Sequence, residues 1–229
     1  MDAPYLIAIT GGSGSGKTTL ARVLTSRLGA ERALLLGEDN YYRPRIDYGP
    51  EAPGWTAAQM EQKINFDDPA SKDMALFETH LRDLQAGRSI EQPIYDFATH
   101  DRVDGETRKL PPKPVIIVEG VHVLSDQALF DLFDLTVFVD TPDDLRLARR
   151  IARDVAERGR ALDRVLAQYL NFVRAAHHRF TEPAKFRCDI VVKDEGPLAS
   201  AVGVPGPAAE ARLAAAVWAR LLADGIVSP

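Results

Sequence analysis

The sequence predicts an α/β fold: a parallel five-stranded sheet with helices on both faces, a small β-hairpin excursion and a helical lid. Three observations predict it. Five short apolar runs recur along the 229 residues, at Tyr5–Thr10, Ala33–Leu36, Val115–Val118, Leu135–Val139 and Ile190–Val192. Their continuous apolar character suits strands covered on both faces. Stretches with helical spacing separate them, and the first run passes through a glycine-rich turn straight into one, Thr19–Leu24.

Taken in order, the turn after the first strand is Gly11-Gly12-Ser13-Gly14-Ser15-Gly16-Lys17-Thr18. It reads G-x-x-x-x-G-K-T, the phosphate-binding (P-loop) pattern, in the strand–loop–helix context that the pattern needs. Glycines let backbone N–H groups approach phosphate oxygens, and the following helix, opening at Thr19, adds the positive end of its dipole. Lys17 is placed to bridge terminal phosphates and the Thr18 hydroxyl to ligate Mg²⁺. The sheet is therefore expected to be of the P-loop NTPase type, binding ATP or GTP.

The second apolar run leads to Asp39, just past a strand end, where open α/β sheets bind ligands. A carboxylate there accepts the proton of an attacking hydroxyl or serves as a turn cap. Arg43–Gln62, with Pro44, Pro50, Pro53 and Gly54, reads as a loop leading into a short helix. Helices are expected over Pro69–Ala86, Pro142–Arg158, Ala161–Arg179 and Pro207–Ala223, the last stopped by Asp224-Gly225. Residues 90–110 interleave apolar and polar groups around a turn signal at Asp104-Gly105, so a hairpin is expected there. Tyr95 and Phe97 share one of its faces and can wall a flat ring or form the hairpin's own small core. The third apolar run ends in Glu119, placed to hold Mg²⁺ opposite Thr18. Arg146, Arg149, Arg150 and Arg153 recur at helical spacing, followed by Glu157-Arg158-Gly159-Arg160, which suits a hinged lid over residues 143–162. His177 and His178 end a helix, where positive charge is favoured. No zinc spacing surrounds them. Gly196–Pro207 reads as a connecting loop.

Bulk properties narrow the classes. The length fits a single domain, residues 1–229. The net charge is −5 without a long basic run, so nucleic acid is not expected as a partner. The apolar runs are too short to span a membrane, and the N-terminus shows no signal-peptide pattern. The single cysteine, Cys188, precludes an intrachain disulfide and reads as a small buried apolar residue. The expected setting is cytoplasmic.

Several stretches together resemble the uridine (uridine–cytidine) kinase family: Asp39-Asn40-Tyr41-Tyr42, Asn65-Phe66-Asp67-Asp68-Pro69, Pro93–His100, Val118-Glu119-Gly120, and Arg149–Asp154 through Glu157–Arg160. Their order and spacing match from the first strand to about Ile190. The resemblance implies a kinase that transfers the ATP γ-phosphate to the 5′-hydroxyl of uridine or cytidine in pyrimidine salvage. It further implies Asp39 as base, Tyr42 and Asp67 at the ribose, and Tyr95, Phe97 and His100 at the pyrimidine. Arg150 and Arg153 would meet donor phosphates, with Arg160 and Gln168 toward the acceptor, and Arg146 and Arg158 are left at the surface. A homo-oligomer, tetrameric in that family, is also implied. Two positions depart from the pattern: Asp68 stands where the family commonly has His, and Lys193–Pro197 matches poorly at the donor-base segment, leaving ATP against GTP open. Other acceptors, such as phosphoribulose or pantothenate, and a non-catalytic nucleotide-binding module are the competing readings. The aromatic hairpin favours a base over a bare sugar phosphate.

Overall fold

A computed structural model describes residues 3–194 and 207–228 of the chain. The expected loop Gly196–Pro207 lies, up to residue 206, outside the described residues.

The chain opens with strand β1 (Tyr5–Thr10), helix α1 (Lys17–Leu28) and strand β2 (Ala33–Gly37), followed by a 3₁₀ turn over Glu38–Tyr41. Two further 3₁₀ turns lead to the short α2 (Ala57–Lys63), where Thr56 and Gln59 form a reciprocal cap. Helix α3 (Met74–Gln85) precedes the hairpin of β3 (Ile90–Asp96) and β4 (Asp101–Leu110). Then come β5 (Val115–Glu119), α4 (Gln127–Phe130), β6 (Leu135–Asp140) and α5 (Asp143–Ala156). Helix α6 (Leu162–Gln168) continues through π-helical turns at Tyr169–Val173 and His177–Thr181, which flank α7 (Arg174–Ala176). Strand β7 (Ile190–Lys193) and α8 (Pro207–Ala223) complete the fold.

All five long-range strands are parallel, in the order β2-β5-β1-β6-β7. The chain winds from β1 to one side and later to the other, so the crevice beyond the carboxyl ends near β1 is the natural ligand site. Alternation along β1 feeds two cores. Leu6 and Ala8 point into one with α3 residues Phe77, Leu81 and Leu84. Ile7 and Ile9 point into the other with α1 residues Leu20 and Leu24 and α8 residues Val217 and Leu221. Both sheet faces are thus covered, as the continuous apolar runs require.

Three expected features shift. The hairpin turns at Phe97–His100, not at Asp104-Gly105. The Asp96 carboxylate accepts the Ala98 N–H (2.8 Å) and the Thr99 hydroxyl (2.9 Å), and His100 takes φ +56°, so a local Asx turn closes the loop. Gly105 instead sits in a register irregularity of β4, between the Pro93–Thr107 and Tyr95–Arg102 pairs. The stretch Pro69–Ala86 is interrupted: Pro69–Ser71 is a 3₁₀ turn and α3 starts only at Met74, capped by Asp73. The long helix after Ala161 carries two π-helical turns that periodicity does not reveal.

Helix α3 supports the site through the Glu38–Tyr41 turn. The buried Tyr41 ring meets Phe77 edge-on at 4.9 Å, and its hydroxyl pairs with His80 Nδ1 at 2.9 Å. Replacing Phe77 with alanine is expected to cost about 3–5 kcal/mol in urea unfolding. A loss below about 1 kcal/mol would contradict this packing role.

Candidate active site

The loop Gly11–Gly16 joins β1 to α1. Gly14 (φ +82°) and Gly16 (φ +94°) occupy the left-handed region, which a side chain adopts only with strain. Gly16 is the N-cap of α1 and no side chain caps that helix, so its first N–H groups remain available to an anion. The loop is held from outside: Thr141 Oγ1 donates to Ser15 O (2.9 Å) and Arg150 Nη1 to Ser13 Oγ (2.9 Å). Lys17 is 9% exposed and lines the cleft beyond the loop.

The strand ends bring carboxylates to the same edge. Glu119 lies opposite Gly37 on β2 and Ile9 on β1. Its Oε2 accepts the Thr18 hydroxyl at 3.1 Å. Burial pushes the Glu119 carboxyl up, with Lys17 opposing. A partly buried carboxylate beside a hydroxyl, with no countercharge in contact among the described residues, is a donor set that fits a hard divalent cation. Asp39 sits just past β2. Burial would raise it, but the charges of Lys72 and Lys17 outweigh burial and hold it well below the usual carboxylate range. Glu38, fully buried, is pushed the other way by burial. Gly120 makes room for it, since a Cβ there would overlap the Glu38 side chain.

Across from the loop the hairpin and its neighbours build an aromatic wall. Tyr42 and Tyr95 lie 5.0 Å apart, Tyr95 and Phe97 meet edge-on at 5.2 Å, and Phe66 stacks on His100 at 4.9 Å. Together with Asp39, Asp67, Lys17 and the arginines they line one cleft with about 580 Å³ of unfilled space, open solvent included. The Tyr95 hydroxyl is buried and has no partner among the described residues. Such a group calls for a ligand or water to complete it. His100 Nε2 pairs with Glu61 Oε1 at 3.3 Å.

The fourth wall is cationic. Arg150, Arg153, Arg158 and Arg160 all line the cleft, as does Gln168. Gln168 Oε1 accepts from Arg150 (2.7 Å) and Arg160 (3.3 Å). Asp154, fully buried, gathers the group, with Arg153 at 2.8 Å, Arg160 at 3.3 Å, Arg158 at 3.4 Å and Arg150 at 3.7 Å. Burial opposes its ionisation, yet these guanidiniums hold its carboxyl below the usual range.

Every residue expected at the site meets at this one edge: the loop Gly11–Thr18 with Thr19 at the start of α1, Asp39, Tyr42, Asp67, Tyr95, Phe97, His100, Glu119, Arg150, Arg153, Arg160 and Gln168. Other expectations are corrected. Arg146 is not a surface residue. It is 3% exposed and its guanidinium covers Gly12, donating to Thr141 O at 3.2 Å. Arg158 is exposed, as expected, and it also lines the cleft, 5.2 Å above the Phe97 ring. His177 does not carry a helix-end charge, because burial and Arg146 lower it to about 4. Asp68 is not among the residues lining the cleft, and its carboxylate accepts the Ala70 N–H at 2.9 Å. As expected of a small apolar residue, Cys188 packs against the core, and burial pushes its thiol up to about 12. Lys72, Glu38 and Glu61 carry no signal in the sequence, and Phe66 and Asp154, though inside the family-like stretches, carry no role of their own there, since each looks like a surface or packing residue until the fold places it. Asp154 leaves a trace in the spacing, four residues from both Arg150 and Arg158.

A P-loop on a five-stranded parallel sheet, facing an aromatic wall in the same cleft across a carboxylate, defines the class of nucleotide-dependent small-molecule kinases. Comparison with known proteins narrows it. The profile of the phosphoribulokinase/uridine kinase family matches residues 6–197. A uridine kinase of Ligilactobacillus salivarius is 45% identical over 193 residues, covering 84% of this chain and 86% of that protein. One from Brevibacillus brevis is 42% identical over 196 residues, covering 86% and 87%. In fold, the phosphoribulokinase of Rhodobacter spheroides superimposes with a TM-score of 0.60 at 18% identity, covering 87% of this chain and 72% of that one. The chain belongs to the phosphoribulokinase/uridine kinase family. No helix among the described residues is long and apolar enough to cross a membrane.

The neutral buried His177 carries a stability signature. A histidine held below its ordinary 6.5 binds its proton less tightly folded than unfolded. Its contribution is therefore complete above 6.5 and is lost as pH falls toward about 4, by up to about 1.4 kcal/mol per pH unit. Urea midpoints measured at pH 7 and pH 5 should fall less in His177→Gln than in the wild type. Equal falls in the two proteins would refute the assignment.

Proposed function

We propose that this chain is a uridine kinase: it transfers the γ-phosphoryl group of ATP to the 5′-hydroxyl of uridine or cytidine, a pyrimidine-salvage step carried out in the cytoplasm. The observation that carries the reading is a single cleft lined at once by Lys17 of the phosphate loop, Asp39, and the aromatic wall of Tyr95, Phe97 and His100. Relatives named uridine kinase, 45% and 42% identical over most of their length, support it. The reaction forms the bond from O5′ to Pγ, breaks the bond from Pγ to the β–γ bridging oxygen, and releases ADP and a proton.

In this reading the loop amides, Lys17 and Thr18 hold the donor. Thr18 and Glu119 hold Mg²⁺, which neutralises charge on the β- and γ-phosphates when bound. Asp39 accepts the hydrogen bond of the 5′-hydroxyl. Its lowered proton affinity suits a loose phosphoryl-transfer transition state, in which the nucleophile needs aligning more than early deprotonation. Asp67 and Tyr42 take the ribose. The Tyr95 hydroxyl and the His100 ring take the polar edge of the pyrimidine, with Phe66 and Phe97 against its faces. Arg150, Arg153 and Arg160, oriented by Asp154 and Gln168, supply positive charge, and the segment 143–162 closes as a lid that excludes water. The family's homo-oligomeric assembly is carried with the proposal.

A coupled ADP-release assay across nucleosides and sugar phosphates tests it. Uridine and cytidine should support turnover at least about 100-fold above ribulose 5-phosphate or pantothenate. Turnover with a sugar phosphate alone would overturn the acceptor assignment. Asp39→Ala should lower kcat by about 10²- to 10⁴-fold while calorimetric ATP affinity changes little. Loss of both, or of neither, would remove Asp39 from its role.

A further inference from the structure

Among the described residues, Lys72 is a fully buried cation that belongs neither to the phosphate loop nor to the arginine group. Lys72 lies in the link between the Pro69–Ser71 turn and α3. Its side chain and that of Glu38 are both 0% exposed, whereas the Asp39 side chain keeps 44% of its surface open. The Lys72 ammonium lies 3.1 Å from Glu38 Oε2 and 2.9 Å from Asp39 Oδ1, and 4.6 Å from the centre of the Tyr42 ring. The backbone is fixed as well: Lys72 bridges to Tyr42, and Asp73 N donates to Tyr41 O at 2.8 Å. Glu38 is anchored from behind by the His122 N–H at 3.1 Å.

Burying an ammonium and a carboxylate together is weak evidence of a stabilising device, because apolar groups of similar shape fill the same space without desolvating two charges. Here the third member of the cluster is the one open to the cleft, and it is the candidate base. Lys72 engages Asp39 Oδ1, and Oδ2 has no hydrogen-bond partner among the described residues. A carboxylate with one oxygen fixed presents the other in a single orientation. Glu38 serves as the buttress that keeps the ammonium in place.

We infer that Lys72 is a positioning residue for phosphoryl transfer, pinning one oxygen of Asp39 so that the other meets the acceptor hydroxyl in a fixed geometry. The inference rests on the nucleoside kinase reading. It predicts that the loss falls on kcat, since a misaligned nucleophile is slow even when both substrates bind.

The test uses K72M and the double variant K72M/E38Q, with steady-state kcat, KM for ATP and uridine, and the thermal midpoint. K72M leaves Glu38 buried without its countercharge, so it loses stability as well as activity. The double variant removes both buried charges and brings the midpoint back toward that of the wild type. Its kcat should remain down about 10- to 100-fold while KM for ATP stays within about twofold. A double variant whose kcat recovers with its midpoint overturns the inference, because Lys72 then only neutralises Glu38. A K72M protein with wild-type kcat overturns it too. The wild-type control separates the two levels: a wild type that phosphorylates no nucleoside overturns the parent reading and this inference together. An active wild type with an equally active double variant overturns only the role of Lys72.

Discussion

Glu119 lies opposite Gly37 on one side and Ile9 on the other, and the cleft depends on that register. Three parallel strands end level, so the phosphate loop after β1, Asp39 after β2 and Glu119 at the end of β5 emerge at one edge. A shift of one residue in any of these strands would turn its apolar set to the opposite face and move its functional side chain off the cleft. The two cores, one on each sheet face, oppose such a slip.

Electrostatics does the rest of the organising. The chain is acidic overall, with a net charge of −5, yet its cleft gathers Lys17, Arg150, Arg153, Arg158 and Arg160. Cations held this close repel one another, and the buried carboxylate of Asp154 offsets that repulsion for the four arginines, with Glu61 also 3.0 Å from Arg160. A second buried group, Glu38 with Lys72, lies behind Asp39, with the Lys72 ammonium 2.9 Å from its Oδ1. In both places buried charges behind the cleft contact the charges that line it.

Much of this was legible in the sequence, for identifiable reasons. The loop Gly11–Thr18 is a local motif flanked by a strand and a helix, so it could be read without tertiary information. Continuous apolar runs locate all five strands of the sheet. In β1, β5 and β6 burial on both faces leaves no polar alternation to confuse the pattern, while the edge strand β7 keeps its apolar run with Val191 exposed. The hairpin was legible in extent but not in its turn. Asp104-Gly105 carries the stronger propensity, while the actual turn is closed by side-chain hydrogen bonds from Asp96 and by a left-handed His100. Lys72 was not legible at all. In sequence it sits in a short polar turn, where lysine is ordinarily solvated, and only the packing of α3 against the Glu38–Tyr41 turn buries it. Arg146 was misread for the same reason, since helical spacing gives the face of a side chain but not what covers that face.

The central claim is that a triphosphate tail and a nucleoside face each other across Asp39. A crystal structure with uridine and a non-hydrolysable ATP analogue tests it most directly. The account predicts the ring against Phe66 and Phe97 with its polar edge toward Tyr95 and His100, and the 5′-hydroxyl within hydrogen-bond distance of Asp39 on the line to the γ-phosphate. A nucleoside seated elsewhere, or an Asp39 carboxylate turned away from its 5′-hydroxyl, would contradict it.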